Sequence, residues 1–424
     1  MGRECKSEEL KMKNEELRDK RCKSGYKMTE LGEIPEDWEV RKLGDICDVR
    51  KEKFNPIGAE NAKYIALEHI EQGTGRINGI GNSDETTSIK AKFKKGDILF
   101  GKLRPYLKKI WLADFNGVCA TEILPLFVKY NYNSKFCFYV IQQDKFIEYT
   151  NQSSFGTKMP RTSWNYMREF VLSIPPLKEQ QKIASILSSV DEQIEITDSL
   201  IEKTKELKKG LMQRLLTKGI GHSRFKDTEI GRVPVEWEVR KLGDIARYIN
   251  GKAFKPSDWS EEGIPIVRIQ NLNGSNEYNY CNKQVEERYY IENNELLFSW
   301  SGSRGTSFGP FIWQGGKAVL NQHIFKVNLS EELNKNYCYF ALKKITQDIE
   351  ENAHGSAGLV HITKSELEKF KIPIPKELEQ QKIASILSSV DEQIAQYESK
   401  KEKLQELKKG LMQKLLTGKI RVKV

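Results

Sequence analysis

The chain has 424 residues, a formal net charge of +10, 38% apolar and 30% charged residues. That length allows two domains with separate cores, and the basic balance suits a polyanionic partner. No apolar run approaches the roughly 20 residues of a membrane span, which argues against a helical membrane protein. Together with a charged rather than signal-like N-terminus, this points to the cytoplasm. Seven cysteines (Cys5, Cys22, Cys47, Cys119, Cys137, Cys281, Cys338) are scattered without a Cys-x-x-Cys spacing, and there are five histidines. Both argue against a zinc centre and for a reducing compartment.

Residues 1–27 form a charged tail with nine Lys/Arg and six Asp/Glu and no core pattern; no role is assigned to it. The run Leu31–Ile46, containing Trp38–Glu39–Val40–Arg41–Lys42–Leu43–Gly44–Asp45–Ile46, returns at Ile230–Ile245 with an offset of 199. The chain is therefore one unit of about 200 residues used twice. Residues 28–174 read as a first globular domain, residues 229–374 as a second. Tyr64–Ile70 and Ile266–Leu272 alternate like half-buried strands. Gly96–Pro105 and Asn294–Gly305 each read as a strand running into a Gly- and Arg-bearing loop. Short strands, Gly-rich turns and a few helices indicate α+β domains.

Two long helices follow the domains, over residues 175–218 and 375–418. Glu179–Ile194 recurs letter for letter at Glu379–Ile394, and Glu206–Gln213 at Glu406–Gln413. Leu187, Val190, Ile194, Thr197, Ile201, Thr204, Leu211 and Leu215 alternate at spacings of three and four, an a/d seam. Leu387, Val390, Ile394, Tyr397, Leu404, Leu411 and Leu415 lie in the same frame. Prolines precede both helices (Pro175, Pro176; Pro375) and glycines follow them (Gly219; Gly418), as expected for uninterrupted helices. About 41 residues at 1.5 Å each make a rod of roughly 60 Å. The fold read from these features is α+β. Two globular domains are joined by two long helices forming an antiparallel coiled coil, with a pseudo-two-fold internal repeat. Residues 219–228 are a linker and 419–424 a tail. Gly210 and Gly410 sit inside the helices, where each costs about 1 kcal/mol relative to Ala. They mark a close backbone approach, to the other helix or to a partner, or else a tolerated surface glycine.

No catalytic constellation is found. Phosphate-binding Gly-Lys-Ser/Thr loops, His-Glu-x-x-His, nucleophile elbows and methyltransferase Pro-Pro-aromatic motifs are absent. His69, His323, His354 and His361 read as isolated polar histidines. Basic, amide and hydroxyl residues do cluster in corresponding loops of the two domains. In the first they are Lys53, Arg76, Lys102, Arg104, Lys108, Lys158 and Arg161. In the second they are Lys252, Arg268, Gln270, Asn271, Asn273, Ser303, Arg304 and Ser356. Arg suits guanine O6/N7 and Asn or Gln suits adenine N6/N7, while Lys and Ser mainly position on phosphate.

On these residues the sequence resembles the specificity subunit of type I restriction–modification enzymes. The resemblance rests on the lead-in motif at 38–46 and 237–245, on Pro-Pro-Leu-Lys-Glu-Gln-Gln-Lys-Ile-Ala at 175–184 and its partner at 379–384, and on Gly96–Phe100 and Leu320–His323. It spans residues 28 to 420. It implies two target-recognition domains, each reading one half of a split, asymmetric site on double-stranded DNA; the rod implies half-sites about one helical turn apart. It also implies helices that dock two methyltransferase (modification) subunits, joined by restriction/motor subunits. S-adenosylmethionine, ATP and Mg would belong to those partners, with no cofactor and no metal in this chain. The docking surface is then expected on Gln180, Gln181, Ile183, Leu187, Val190, Ile194, Gly210 and Leu211, and on Gln380, Gln381, Ile383, Leu387, Val390, Ile394, Gly410 and Leu411. Two other classes of function compete with this reading. One is a coiled-coil adaptor whose domains bind protein, and the other a self-sufficient methyltransferase or nuclease.

Overall fold

The computed structural model describes residues 23–58, 60–153, 159–352 and 359–423. It divides into two compact units, Met1–Thr197 with Lys400–Val424, and Asp198–Ser399. The division falls within both long helices, Leu177–Lys218 and Glu377–Leu415, so each unit holds one globular domain and a half of each helix.

In the first unit an antiparallel four-stranded sheet is ordered Ile110–Leu112, Ile98–Gly101, Ile123–Val128, Cys47–Val49. Of Tyr64–Ile70, expected as one strand, only the start is extended: Lys63–Ile65 pairs in parallel with Gly117–Cys119 inside a five-stranded second sheet, and Leu67–His69 is a helical turn, just as Ile269–Leu272 turns helical within Ile266–Leu272. The second unit repeats this plan. Its four-stranded sheet runs Gly309–Ile312, Leu296–Ser299, Ile324–Leu329, Ala246–Asn250, and Ile264–Val267 pairs in parallel with Ala318–Leu320 in another. The lead-in motif takes the same place in both. Glu39–Lys42 pairs with Val171–Ile174, and Glu238–Lys241 with Lys371–Ile374. Each domain is thereby closed at its base, next to the start of the long helix that follows it.

Within each unit the two helix segments run antiparallel, because rising numbers on one meet falling numbers on the other. In the first unit Asp191 pairs with Lys408 at 2.7 Å, and Glu179 at the start of one helix pairs with Arg421, just past the end of the other, at 2.8 Å. In the second Lys208 pairs with Asp391, and Lys205 with Glu398 at 3.1 Å. Part of the a/d frame is buried, with Leu187, Ile194, Thr197 and Ile201 at 0–8% exposure, while Val190, Leu211, Tyr397, Leu404 and Leu411 are half-buried. Both helices stop at left-handed glycines, Gly219 (φ 64°) and Gly418 (φ 71°). A Cβ on Gly219 would lie 2.6 Å from the Trp237 ring, and one on Gly418 2.4 Å from Pro35, so other residues are excluded twice over.

A carboxylate at the start of each helix anchors its domain, Glu179 fully buried and Glu379 half-buried. Glu179 accepts from the Trp38 indole at 3.0 Å and from the Arg421 guanidinium at 2.9 and 2.8 Å, and Arg421 also grips Asp37. In the second unit Glu379 accepts from the Trp237 indole at 2.9 Å, and His222 takes the position of Arg421 at 2.9 Å.

Cys47, Cys119, Cys137, Cys281 and Cys338 are free and buried. Burial pushes the Cys119, Cys137 and Cys338 thiols up to about 12, so the reactive thiolate is scarce at neutral pH. Alkylation with iodoacetamide at pH 7.5 should leave these three unmodified in the folded protein and modify them after denaturation, as read by peptide mass spectrometry.

Candidate nucleic-acid interface

The structure sorts the expected reading residues into groups. Lys102, Arg104 and Arg161 come together. Leu103 bridges Arg161, and the Arg104 amide donates to Pro160 at 2.8 Å. The loop leaving strand Ile98–Gly101 is tight enough to hold Arg104 and Lys108 at φ 50° and 48°, a conformation uncommon outside glycine and worth weighing as functional. Arg104 and Arg161 are exposed, and Lys102 is half-buried.

Arg76 and Lys108 meet elsewhere, in a cleft of about 720 Å³ that is also lined by Gly75, Gln142, Lys145 and Lys409. Both are partly occupied, Arg76 by Glu71 at 3.7 Å and Lys108 by Asp144. The Lys108 ammonium holds the Asp144 carboxyl below its ordinary range. Lys53 stands on an edge strand, Lys53–Phe54.

In the second unit Arg268 donates to Asn279 at 3.0 Å and lies over the Trp259 ring. Gln270, Asn273, Ser303 and Arg304 are exposed, and Lys252 is half-buried beside Phe254. Asn271 is a correction. It is 7% exposed, its Oδ1 accepts from the Arg268 amide, and its Nδ2 donates to Ser275 and Glu277 carbonyls. It closes its own loop and has no edge left for a base. Lys158, Ser356 and His354 lie outside the described residues.

The docking residues need a similar correction. Gln180, Ile183, Leu187 and Ile194, with Gln380, Ile383, Leu387, Val390 and Ile394, are buried. Ile183 and Leu187 belong to the core of the first unit, Ile383 and Leu387 to that of the second. Gln180 bonds Pro175 and Asn133, and Gln380 bonds Pro375 and Asn334. Leu211 and Leu411 pack half-buried against the same cores, and Val190 is half-buried too. Gln181, Gln381 and Gly210 are exposed, and Gly410 is half-buried. A Cβ on Gly210 or Gly410 would meet nothing within 4 Å, so no other described part of the chain makes a close approach to either.

Two of the histidines read as isolated are not. His323 and His361 flank Trp300, with ring centroids 4.7 and 4.9 Å from the indole. The signal for His361 was its offset of 200 from Arg161, since each stands three residues before a short helix, Trp164–Met167 and Lys364–Leu367. Among the described residues there is no cluster of three or more His, Cys, Asp or Glu able to hold a metal, and no helix long and apolar enough to cross a membrane.

Residues 35–206 and 234–409 both match the family model for the type I restriction modification DNA specificity domain. A putative type I restriction enzyme MjaX specificity subunit from Methanocaldococcus jannaschii is 30% identical over 94% of this chain and 97% of its own length. The MjaVIII specificity subunit of the same organism is 28% identical over 92% and 94%. Among solved structures, the type I restriction–modification S subunit from M. genitalium superposes with a TM-score of 0.55 at 20% identity, over 89% of this chain and 96% of its own. A chain from a structural study of complex assembly and conformational transition in the type I R-M system gives 0.59 at 18% identity, over 91% and 99%. At these identities the structures agree in fold. With the family's domain present twice along its length, this chain belongs to the type I restriction–modification DNA specificity family, as a DNA-recognition subunit rather than an enzyme.

Proposed function

We propose that the chain reads a bipartite, asymmetric site on double-stranded DNA in the cytoplasm, one half with each domain. Its long helices hold two methyltransferase subunits, to which restriction/motor subunits attach, and S-adenosylmethionine, ATP and Mg act on those partners. The observation that carries this reading is a contrast within the repeat. The helix segment Glu179–Ile194 is identical to Glu379–Ile394, while the exposed loop residues of the two domains differ in kind. Two copies of one partner need two equal surfaces, and two different half-sites need unequal ones. The exposed helix residues also repeat. Leu207 and Leu407 are 53% and 50% exposed, each one turn from Gly210 or Gly410, so both copies present the same small flat apolar spot.

The test is methylation mapping in a host without modification systems of its own, with this chain expressed alone and together with its methyltransferase partner. A split motif methylated only when both are present supports the proposal. Exchanging residues 28–173 for another recognition domain should then replace one half-site and leave the other intact. Methylation independent of this chain, or a swap that alters both halves, would remove the modular reading.

A further inference from the structure

The repeat places three side chains of each domain at matching positions, and their chemistry differs. In the first domain Lys102 follows strand Ile98–Gly101. Its amide donates to the Glu122 carbonyl at 2.9 Å, and its carbonyl accepts from Thr162 at 3.0 Å. In the second Trp300 follows strand Leu296–Ser299. Its amide donates to the His323 carbonyl at 3.0 Å, and its carbonyl accepts from Ile362 at 3.0 Å. The next residues pair alike, Leu103 with Arg161 and Ser301 with His361. Lys102, Glu122 and Arg161 therefore correspond to Trp300, His323 and His361.

Two further observations fall on this position in both domains. Glu122 Oε2 and His323 Nδ1 are buried atoms with no hydrogen-bond partner among the described residues. An unpaired buried polar atom is destabilising and asks for an explanation. Backbone strain sits beside it, at Arg104 (φ 50°) in one domain and at His323 itself (φ 75°) in the other. The cluster is reachable from outside, since the Arg161 side chain is 55% and the Glu122 side chain 29% exposed.

We infer that these positions are where each domain selects a base pair, a step that rests on the DNA-reading function proposed above. Glu122 and Arg161 stand side by side, 3.4 Å apart between Oε1 and Nη2. An ionised carboxylate only accepts and a guanidinium only donates. Side by side they complement a cytosine N4 amino group and the guanine O6/N7 edge paired with it, so the first domain selects a C·G pair. Among the described residues the second domain carries no charge pair there. Trp300, half-buried, in ring contact with two imidazoles and with its Nε1 donating to Asn250, offers apolar aromatic surface, which suits a thymine methyl group and hence an A·T pair.

The experiment uses the full chain with its methyltransferase partner and compares methylation of the mapped motif with that of every single-base variant. Glu122→Gln keeps the shape of the side chain, Arg161→Ala removes the donor, and His361→Ala trims the second cluster. Glu122→Gln and Arg161→Ala should each relax discrimination at one C·G position of one half-site, by about 10-fold or more. His361→Ala should leave that half-site alone and relax an A·T position in the other. A purely structural role would lower methylation of all sequences together, with discrimination intact, and would overturn the inference. A motif retained base for base in all three variants would do the same while leaving the proposed function standing. A wild-type complex that methylates no split site would overturn both.

Discussion

Trp38→Ala should lower the stability of the first unit by about 3–5 kcal/mol, the usual range for removing a fully buried tryptophan. Trp38 is 0% exposed and packs in the main core of that unit. Its loss also strips Glu179 of the indole donor at 3.0 Å, leaving a carboxylate that is itself 1% exposed with Arg421 as its remaining side-chain partner. Burial and charge pairing thus fail together, which places the effect toward the upper end. Urea unfolding, with hydrogen exchange resolved by peptide, measures it. Amides of residues 28–174 should lose protection first, while those of residues 229–374 keep theirs. Trp237→Ala, the matching change in the second unit, should reverse that order. A loss below about 1 kcal/mol in either case would mean that the anchor at the domain base is not built as described.

Gln180→Ala should cost about 2–4 kcal/mol, because one amide side chain satisfies two backbone groups. Its Nε2 donates to the Pro175 carbonyl and its Oε1 accepts from the Asn133 amide, both at 2.9 Å, in a residue 2% exposed. Truncation leaves a donor and an acceptor unpaired, each worth about 1–3 kcal/mol when buried. Gln380→Ala should do the same in the second unit, where the bonds to Pro375 and Asn334 are 3.0 and 2.8 Å. The adjacent Gln181→Ala, on the exposed side of the helix, should change stability by no more than about 0.5 kcal/mol. Denaturation midpoints of the three variants decide this. Equal effects at Gln180 and Gln181 would return Gln180 to the helix surface. The contrast matters for assembly, since a defect at Gln180 would be a folding defect, while one at Gln181 would concern a partner.

Gln180 also shows where letters alone mislead. It lies inside the longest identical run of the repeat, and identity between copies is expected of a surface that meets the same partner twice. It is equally expected of a helix start that packs under the same domain base twice. Sequence spacing cannot separate the two, because the choice depends on which strands reach that turn. Asn271 is a similar case. Amide side chains serve a base edge or their own loop equally well, and the fold of Arg268–Glu277 turns this one inward. His323 and His361 look solitary because they are 38 residues apart, and only the pairing of Ser301–Ser303 with Leu359–His361 brings the second of them to Trp300.

What the sequence determined by itself is everything that local periodicity and self-comparison can carry. That includes the duplication, the two long helices with their a/d spacing, the proline starts and glycine stops, and the strand-to-loop segments that hold the basic residues. These follow from short-range rules of side-chain spacing and backbone freedom, which act within a few residues of each other. The tertiary structure alone decided which face of each helix is spent on its own domain. It also decided that Arg421 and His222 occupy matching places beside Glu179 and Glu379, and that Lys102, Glu122 and Arg161 correspond to Trp300, His323 and His361. Each of these depends on strands and loops far apart in the chain meeting at one point, and no local pattern encodes which long-range pairings the two sheets will make.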